Sequence, residues 1–326
     1  MKKIKKLLQI FVLLLIIIPI NVFAYSDYVA IGGETIGIDV RSKVVLIVDF
    51  YKVNNTFVAK DAGFAVGDII LEVDNKKIDN INTLTSILEE KEGDFKFIVL
   101  RNGLRKEINY TLNKDNNGIL KTGLYIKDQI NGIGTLSFII PESKIFGSLG
   151  HEIIEKNTIS KFEIKDGEIY KANVESITKS KNGSAGEKNS SYERNVIFGS
   201  IYENETSGIF GVYTGDFSNK ELIKVGNEDD IHTGKASIKT VIKDNIIEDF
   251  SINIISIDPD SKSKNILFEV TDKKLLEATG GIVQGMSGSP IIQDGKLVGA
   301  VNYVIVNDTS KGYGIFITTM LDESEN

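Results

Sequence analysis

The feature that most constrains the fold of this chain is a series of short apolar runs in its C-terminal half. Turns of Gly, Asn, Asp and Ser separate the runs, and helix-like periodicity is scarce outside 273–278. The runs cover 196–202, 208–213, 236–242, 250–257, 265–270, 290–292, 297–306 and 313–317. This spacing is typical of an antiparallel β-barrel. We therefore predict a mostly β fold, with a barrel domain over residues 130–326.

Six residues, Gly-Met-Ser-Gly-Ser-Pro at 285–290, interrupt these runs. Gly-x-Ser-Gly-Ser-Pro before a buried strand is how chymotrypsin-like serine peptidases present their nucleophile. The turn must project the Ser287 hydroxyl while the N–H groups of Gly285 and Ser287 point at a developing oxyanion. Glycine on both sides permits positive φ values. The alternative is a plain Gly/Ser turn between two strands.

The chain has two histidines and no cysteine, which excludes a cysteine peptidase. His151 follows the strand-like run 134–140 and a tight turn, and it precedes Ser287, as in the chain order His…Asp…Ser. It is the predicted general base, with a purely structural histidine as the alternative. His232 lies in a polar stretch and is expected in a solvated loop. The run His-Glu-Ile-Ile-Glu lacks the second histidine of a zinc peptidase, since Glu155 stands there, so we predict no metal site.

Residues 1–24 have the composition of a targeting segment. Four lysines precede an apolar run over 7–20, and small residues end at Ala24. The run is short for a membrane span, so cleavage is expected rather than a retained anchor, and the chain is expected to be exported. Without this segment 34 basic and 45 acidic side chains remain, a net charge of −11. No basic stripe carries interleaved aromatic residues, so we expect no nucleic-acid partner.

Residues 28–115 read strand, strand, turn, strand, helix, strand, strand. The pattern Ala-Gly-x-x-x-Gly-Asp-Ile-Ile at 62–70 resembles a PDZ domain. In that family a loop before the second strand holds a peptide's terminal carboxylate on backbone N–H groups. The matching positions are Thr35, Ile36, Gly37 and Ile38. The alternative is a small sandwich without a ligand.

The combination of these motifs resembles the stage IV sporulation protein B family of serine peptidases. The likeness covers nearly the whole chain, through the segments 132–136, 147–151, 186–188, 208–211 and 272–317. It implies a PDZ domain followed by a trypsin-like double β-barrel, without a cofactor. It also implies an exported sporulation peptidase, active between the forespore and mother-cell membranes. Its substrate would be a membrane-anchored regulator, whose cleavage lets an intramembrane metalloprotease activate a late sigma factor.

The acid of the triad is the least constrained member. The family places it shortly before the serine, and Asp272 matches, 15 positions upstream of Ser287. Asp249, Asp258 and Asp260 compete with it, and Asp272 is also a reasonable helix N-cap. An aspartate would accept from the second imidazole nitrogen and fix the tautomer of the base.

Two further expectations remain open. The polar, Gly/Ser-rich segment 178–195 is predicted to be an exposed loop. The PDZ domain is expected to bind a partner's C-terminus or a segment of the chain's own precursor. A catalytically silent PDZ scaffold and an exported ester hydrolase are the alternative functions, because a triad alone does not define the substrate.

Overall fold

The computed structural model describes residues 26–112, 114–115 and 117–325. The targeting segment 1–24 lies outside these residues. Of the residues described, 56% are strand and 11% are helix, which confirms the mostly β prediction. Within the described part of the chain, no helix combines the length and the hydropathy that a bilayer crossing requires.

The strands in chain order are β1 (Tyr28–Ile31), β2 (Thr35–Phe50), β3 (Ile69–Val73), β4 (Lys76–Lys77), β5 (Gly93–Arg101), β6 (Leu104–Leu112), β7 (Leu124–Ile139), β8 (Ile145–Ser148), β9 (Ile154–Glu155), β10 (Ser160–Lys161), β11 (Ile164–Thr178), β12 (Gly186–Glu205), β13 (Gly208–Tyr213), β14 (Leu222–Val225), β15 (Gly234–Val241), β16 (Ile247–Ile257), β17 (Ile266–Val270), β18 (Val283–Gln284), β19 (Pro290–Gln293), β20 (Lys296–Val304) and β21 (Lys311–Phe316). The helices are α1 (Val58–Asp61), α2 (Ile81–Glu89), α3 (Lys273–Thr279) and α4 (Ile317–Glu325), with one 3₁₀ turn at Glu228–Asp230.

Six strands form a first closed ring, in the order β2–β7–β8–β13–β12–β11 and back to β2, with every pair antiparallel. Its interior is filled by alternate side chains of each strand, such as Ile36, Ile38 and Val40 of β2. Because successive side chains point to opposite faces of a strand, one apolar set fills the ring.

A second closed ring has the order β15–β16–β17–β21–β20–β19 and back to β15, again antiparallel throughout. On β16 the alternation is clear, since Phe250, Ile252 and Ile254 are buried and point into the core. The short helix α3 packs Leu275 against the same core.

A smaller unit has its own core, which runs from Val45 to Leu124 along the chain. It contains the second half of β2, strands β3 to β6, the helices α1 and α2, and the start of β7. Asp68, from the Gly-Asp-Ile-Ile pattern, is fully buried and accepts from Arg101 Nε at 2.6 Å and from the Ala65 N–H at 2.9 Å. The pattern therefore reflects a buried ion pair that fixes the turn before β3.

The structure corrects the placement of the peptide-binding loop. Thr35, Ile36, Gly37 and Ile38 do not form a loop, because they lie in the first half of β2 between β7 and β11. Their backbone groups are committed to these two neighbours, and a Cβ at Gly37 would lie 2.3 Å from the Tyr192 ring. Residues 28–41 therefore belong with the first ring, and the small unit begins later and ends later than the predicted 28–115.

The segment 178–195 also differs from its prediction. Most of it, from Gly186 onward, is the start of β12. The pairing of β12 with β11 begins at Glu187, opposite Thr178, and continues to Ile201, opposite Gly167. The polar composition was misleading because the hairpin inserts one polar side chain, Lys188, into the protein, where it is only 4% exposed.

Candidate active site

The turn between β18 and β19 carries Ser287. Gly285 and Gly288 have φ values of +93° and +92°, a region that favours glycine. At Gly288 a Cβ would also lie 2.1 Å from the Thr135 carbonyl oxygen. The two glycines thus fit a turn that is both left-handed and tightly packed.

Hydrogen-bond donors of strand β7 hold the carbonyl groups of this turn. Thr135 donates from Oγ1 to the Gly285 carbonyl at 2.7 Å and from its N–H to the Ser287 carbonyl at 2.9 Å. Ser137 Oγ donates to the Gly288 carbonyl at 2.8 Å. Three carbonyl oxygens of the turn therefore point toward the first ring.

The N–H groups of the turn separate into two sets. Those of Met286, Gly288 and Ser289 donate to the carbonyls of Val283, Val301 and Met286, respectively. Those of Gly285 and Ser287 have no acceptor among the residues that the structure describes. Two free N–H groups beside a serine hydroxyl are what an oxyanion hole requires.

His151 reaches this turn from the first ring. It follows β8 through Leu149 and Gly150, which have φ values of +70° and +71°. A left-handed leucine is strained, and such strain often occurs at functional sites. The Leu149 side chain packs over Gly134, where a Cβ would lie 2.4 Å from Leu149 Cδ2. This turn brings His151 Nε2 to 3.0 Å from Ser287 Oγ.

The rest of the His151 environment favours the neutral base. Its ring stacks on Tyr303 at 5.3 Å between centroids. Burial lowers the pKa of His151 below its ordinary value of 6.5. The Glu152 carbonyl and carboxylate raise this pKa, but their effect is smaller than that of burial. Nδ1 lies 2.9 Å from the Glu152 carbonyl oxygen, so it can carry the proton and donate there. Nε2 then has a lone pair for the Ser287 proton, while the Ser287 hydroxyl also lies 3.2 Å from the Asn302 carbonyl.

The structure does not place Asp272 at His151. Asp272 is the N-cap of α3, and its carboxylate accepts from the Leu275 N–H at 3.0 Å. Two of the three competing carboxylates are engaged elsewhere, Asp249 with Lys239 and Asp258 with the Asp260 N–H. No carboxylate in the described part of the chain forms a hydrogen bond with His151. The helix-cap interpretation of Asp272 therefore replaces the catalytic one in this structure.

His232 lies outside the cleft, in an exposed position as the sequence predicts. His232 is exposed and pairs with Asp294 at 2.8 Å, far along the chain from the serine turn. Over the residues with described positions, no group of three His, Asp or Glu side chains could hold a metal ion.

The pair lies in a cleft of about 690 Å³ between the two rings. On the side of the second ring its wall lacks a charged side chain. Most of this wall is aliphatic, and Gln284, Asn302 and Tyr303 complete it; the aliphatic residues are Ile282, Val283, Val301, Val304 and Val306. Glu152 and Lys156 line the opposite side, next to His151. Asp308, the acid nearest this wall in the sequence, pairs with Lys311 at 2.7 Å.

Sequence reasoning did not identify Thr135, Asn302 or Lys188 as parts of this site. Thr135 and Asn302 stand in ordinary strand-like runs, so no local signal marks them. All three residues lie in segments of the family resemblance, Thr135 in 132–136, Lys188 in 186–188 and Asn302 in 272–317, and that was the available indication.

Of the comparisons with known proteins, the match to a family model supports a peptidase. No curated protein gives a significant match. Among solved structures, one titled "Crystal structure of Rv3671c protease, inactive form" aligns with 60% of this chain and 85% of its own, at 10% identity and a TM-score of 0.36. The model of the SpoIVB peptidase S55 family matches residues 118–321, a range that holds both His151 and Ser287. With well over half of its length inside this match, the chain belongs to the SpoIVB peptidase S55 family.

Proposed function

We propose that this protein is a serine endopeptidase that uses a Ser287–His151 pair on a double β-barrel of the chymotrypsin type. The observation that carries the proposal is the 3.0 Å approach of His151 Nε2 to Ser287 Oγ, across two closed six-stranded rings. His151 takes the Ser287 proton as the hydroxyl attacks a peptide carbonyl, and returns it to the leaving amine. The N–H groups of Gly285 and Ser287 stabilise the oxyanion.

The orientation of the imidazole comes from backbone rather than from a carboxylate. The Glu152 carbonyl accepts from Nδ1–H and so selects the tautomer in which Nε2 is the base. A carbonyl has no full charge to stabilise the imidazolium, so this arrangement is weaker than a triad with an aspartate.

The alternatives fit less well. A silent scaffold has no need for a serine and a histidine at this distance beside two free N–H groups. An ester hydrolase would have the same core, but membership of a peptidase family favours a peptide substrate. The aliphatic wall beside Ser287 favours substrates with an apolar side chain before the scissile bond.

The family also supports the biological role. We propose that the chain is exported during sporulation, acts between the forespore and mother-cell membranes, and cleaves a membrane-anchored regulator there. That cleavage would let an intramembrane metalloprotease activate a late sigma factor. This part of the proposal rests on the family name and on the apolar segment at 7–20.

We further propose that the small unit is a PDZ domain whose groove lies between α2 and the start of β7. A cavity of about 220 Å³ is lined there by Leu84 and Leu88 of α2 and by Leu124 and Ile126 of β7. Residues 124–127 pair with β2 on one side, and no described strand pairs with their other edge. PDZ domains bind an extended C-terminus by strand addition at such an edge.

This groove places the carboxylate-binding loop before β7 instead of at 35–38. Gly123 has a φ value of +69°, and Thr122 stands before it next to the cavity. The occupant we propose is a partner's C-terminus with an apolar last side chain. Binding of a peptide with a free carboxylate, but not of its amide, is the expected result. Equal binding of the two would contradict this assignment, and Leu88→Lys should abolish binding by filling the cavity.

The test of the peptidase function is active-site labelling. A fluorophosphonate probe should modify Ser287, and His151→Ala or Ser287→Ala should abolish labelling. Turnover of a peptide substrate should fall about 10⁴-fold or more in each variant. Full labelling of the Ser287→Ala protein would show that another residue is the nucleophile.

A further inference from the structure

Lys188 is a buried cation behind the catalytic turn. It lies near the start of β12, paired with Ile177 of β11, and is only 4% exposed. No carboxylate pairs with it among the residues that the structure describes. Burying an ammonium group without a counter-ion is costly, so a lysine in this position needs a compensating interaction.

Three threonine hydroxyls surround the ammonium group. Lys188 Nζ lies 3.1 Å from Thr35 Oγ1, 3.4 Å from Thr135 Oγ1 and 3.0 Å from Thr240 Oγ1. These threonines come from β2, β7 and β15, and all three are buried. An ammonium group has three N–H donors and no acceptor, so each hydroxyl must accept from it. The number of donors equals the number of hydroxyls.

One of these hydroxyls is the direct support of the oxyanion turn. A threonine that accepts from Lys188 still has its own proton, and Thr135 donates that proton to the Gly285 carbonyl at 2.7 Å. The Lys188 stem also lies against the same glycine, because a Cβ at Gly285 would be 3.1 Å from Lys188 Cδ. Lys188 therefore acts on Gly285 through a hydroxyl and through direct packing.

We propose that Lys188 is a positioning residue for the oxyanion hole. Its ammonium group fixes the direction of the Thr135 hydroxyl, which in turn holds Gly285 so that the N–H groups of Gly285 and Ser287 face the cleft. Without this cation the Thr135 hydroxyl can rotate toward Ser289 Oγ, 3.5 Å away, and release the carbonyl. A buried positive charge behind these N–H groups also favours negative charge in the cleft. The inference rests on the proposed peptidase function.

The first test is Lys188→Met, which keeps the length of the side chain and its packing on Gly285. We expect kcat to fall about 10²-fold to 10³-fold, as when an oxyanion-hole donor is lost, with KM changed less than about threefold. Affinity for a peptide boronate, which mimics the tetrahedral state, should fall with kcat. Lys181→Met, an exposed lysine of the same hairpin, is the matched control and should behave as the wild type.

A second pair of variants separates positioning from simple structural support. Thr135→Val removes the hydroxyl, whereas Thr135→Ser retains it. We expect the valine variant to lose kcat as Lys188→Met does, and the serine variant to recover most of it. The double variant Lys188→Met/Thr135→Val should be little worse than either single one, because both remove the same restraint on Gly285.

The outcomes distinguish this inference from the peptidase proposal. If the wild type is neither labelled by the fluorophosphonate nor active, the proposed function fails. If the wild type is active and Lys188→Met has the same kcat, with or without a change in KM, Lys188 does not position the oxyanion hole. Should Lys188→Met fail to fold, the Thr135→Val and Thr135→Ser pair still decides, since equal kcat in the two would overturn the inference.

Discussion

Lys127 Nζ and Glu155 Oε1 lie 2.9 Å apart and connect the small unit to the segment that follows His151. Lys127 stands in β7 as the last residue of the proposed peptide-binding edge, and Glu155 ends β9, four residues after His151. Glu155 is fully buried and also accepts from the N–H groups of Asn157 and Thr158. We therefore expect a displacement of β7 to change the position of the segment after His151 through this ion pair.

The first prediction concerns this ion pair. Lys127→Met should lower kcat several-fold and destabilise the protein by about 1 kcal/mol, since Lys127 is 43% exposed. Burial raises the pKa of Glu155, but Lys127 and the two backbone N–H groups outweigh it, so the folded-state pKa is below 4.5. The stability contribution of Glu155 is therefore present above pH 4.5 and is lost as pH falls through the folded pKa. Thermal unfolding from pH 7 to pH 3 measures it, and Lys43→Met, at an exposed lysine away from the cleft, is the control.

The second prediction concerns Asp272. Asp272→Asn should keep kcat/KM within a few-fold of the wild type, because asparagine is an equally good N-cap and the carboxylate does not contact His151. Asp272→Ala should lower the free energy of unfolding by about 1 kcal/mol through loss of the cap. A fall in kcat of about 10⁴-fold in Asp272→Asn would instead show that Asp272 orients the base during catalysis.

The third prediction is a bell-shaped pH profile. The acid limb belongs to His151, whose pKa is lowered by burial, so kcat/KM should rise with pH through an inflection below 6.5. The alkaline limb belongs to Lys188, because burial lowers its pKa to about 7 and the positioning role needs the ammonium form. The groups that face Nζ from β2, β7 and β15 are uncharged threonine hydroxyls, so no neighbouring carboxylate opposes this shift. Lys188→Met should abolish the alkaline limb and keep the acid limb.

The fourth prediction is that Lys188→Met stabilises the folded protein at low pH. The folded pKa of about 7 lies below the ordinary 10.5, so the unfolded chain binds more protons between these values and wild-type stability rises with pH across that window. Below pH 7 the buried charge costs on the order of 5 kcal/mol. Denaturant unfolding at pH 6 should show the variant to be more stable than the wild type, and the gain should shrink at pH 9. Destabilisation at pH 6 would mean that Lys188 supports the fold.

The fifth prediction concerns specificity. Peptides with Val, Leu or Ile before the scissile bond should be cleaved with a kcat/KM at least about 10²-fold above that of peptides with Lys or Glu. The side chains that line the cleft between Ile282 and Val306 are uncharged, so none can pair with a charged substrate side chain. Val304→Asp should raise cleavage after Lys. Cleavage-site profiling with a peptide library measures both effects.

Ser287 and His151, which the sequence predicts as nucleophile and base, lie together in the structure, and both stand in turns with strong local signals. Ser287 is between two glycines that need positive φ values, and only two histidines competed for the role of base. The β class followed from apolar runs with turn residues between them. These properties are local, so they can be inferred without knowing which strands pair.

The errors came from long-range geometry. Asp272 has two uses that look identical in sequence, and only its distance from His151 separates a helix cap from a catalytic acid. The run Thr35–Ile38 matched a PDZ loop because its composition suits any buried strand. Lys188 was expected to be exposed because lysine usually is. The three threonine hydroxyls around its ammonium group come from strands more than 50 residues away in the chain.

The paired stretch of β2 and β7 makes the small unit an insertion within a hairpin of the catalytic ring. Arg41 of β2 pairs with Gln129 of β7, so the chain leaves and re-enters the ring at neighbouring points. Replacing residues 43–127 with a short turn would therefore preserve all six strands of that ring. A truncation at residue 115 would remove β1 and all of β2, and so open the ring between β7 and β11.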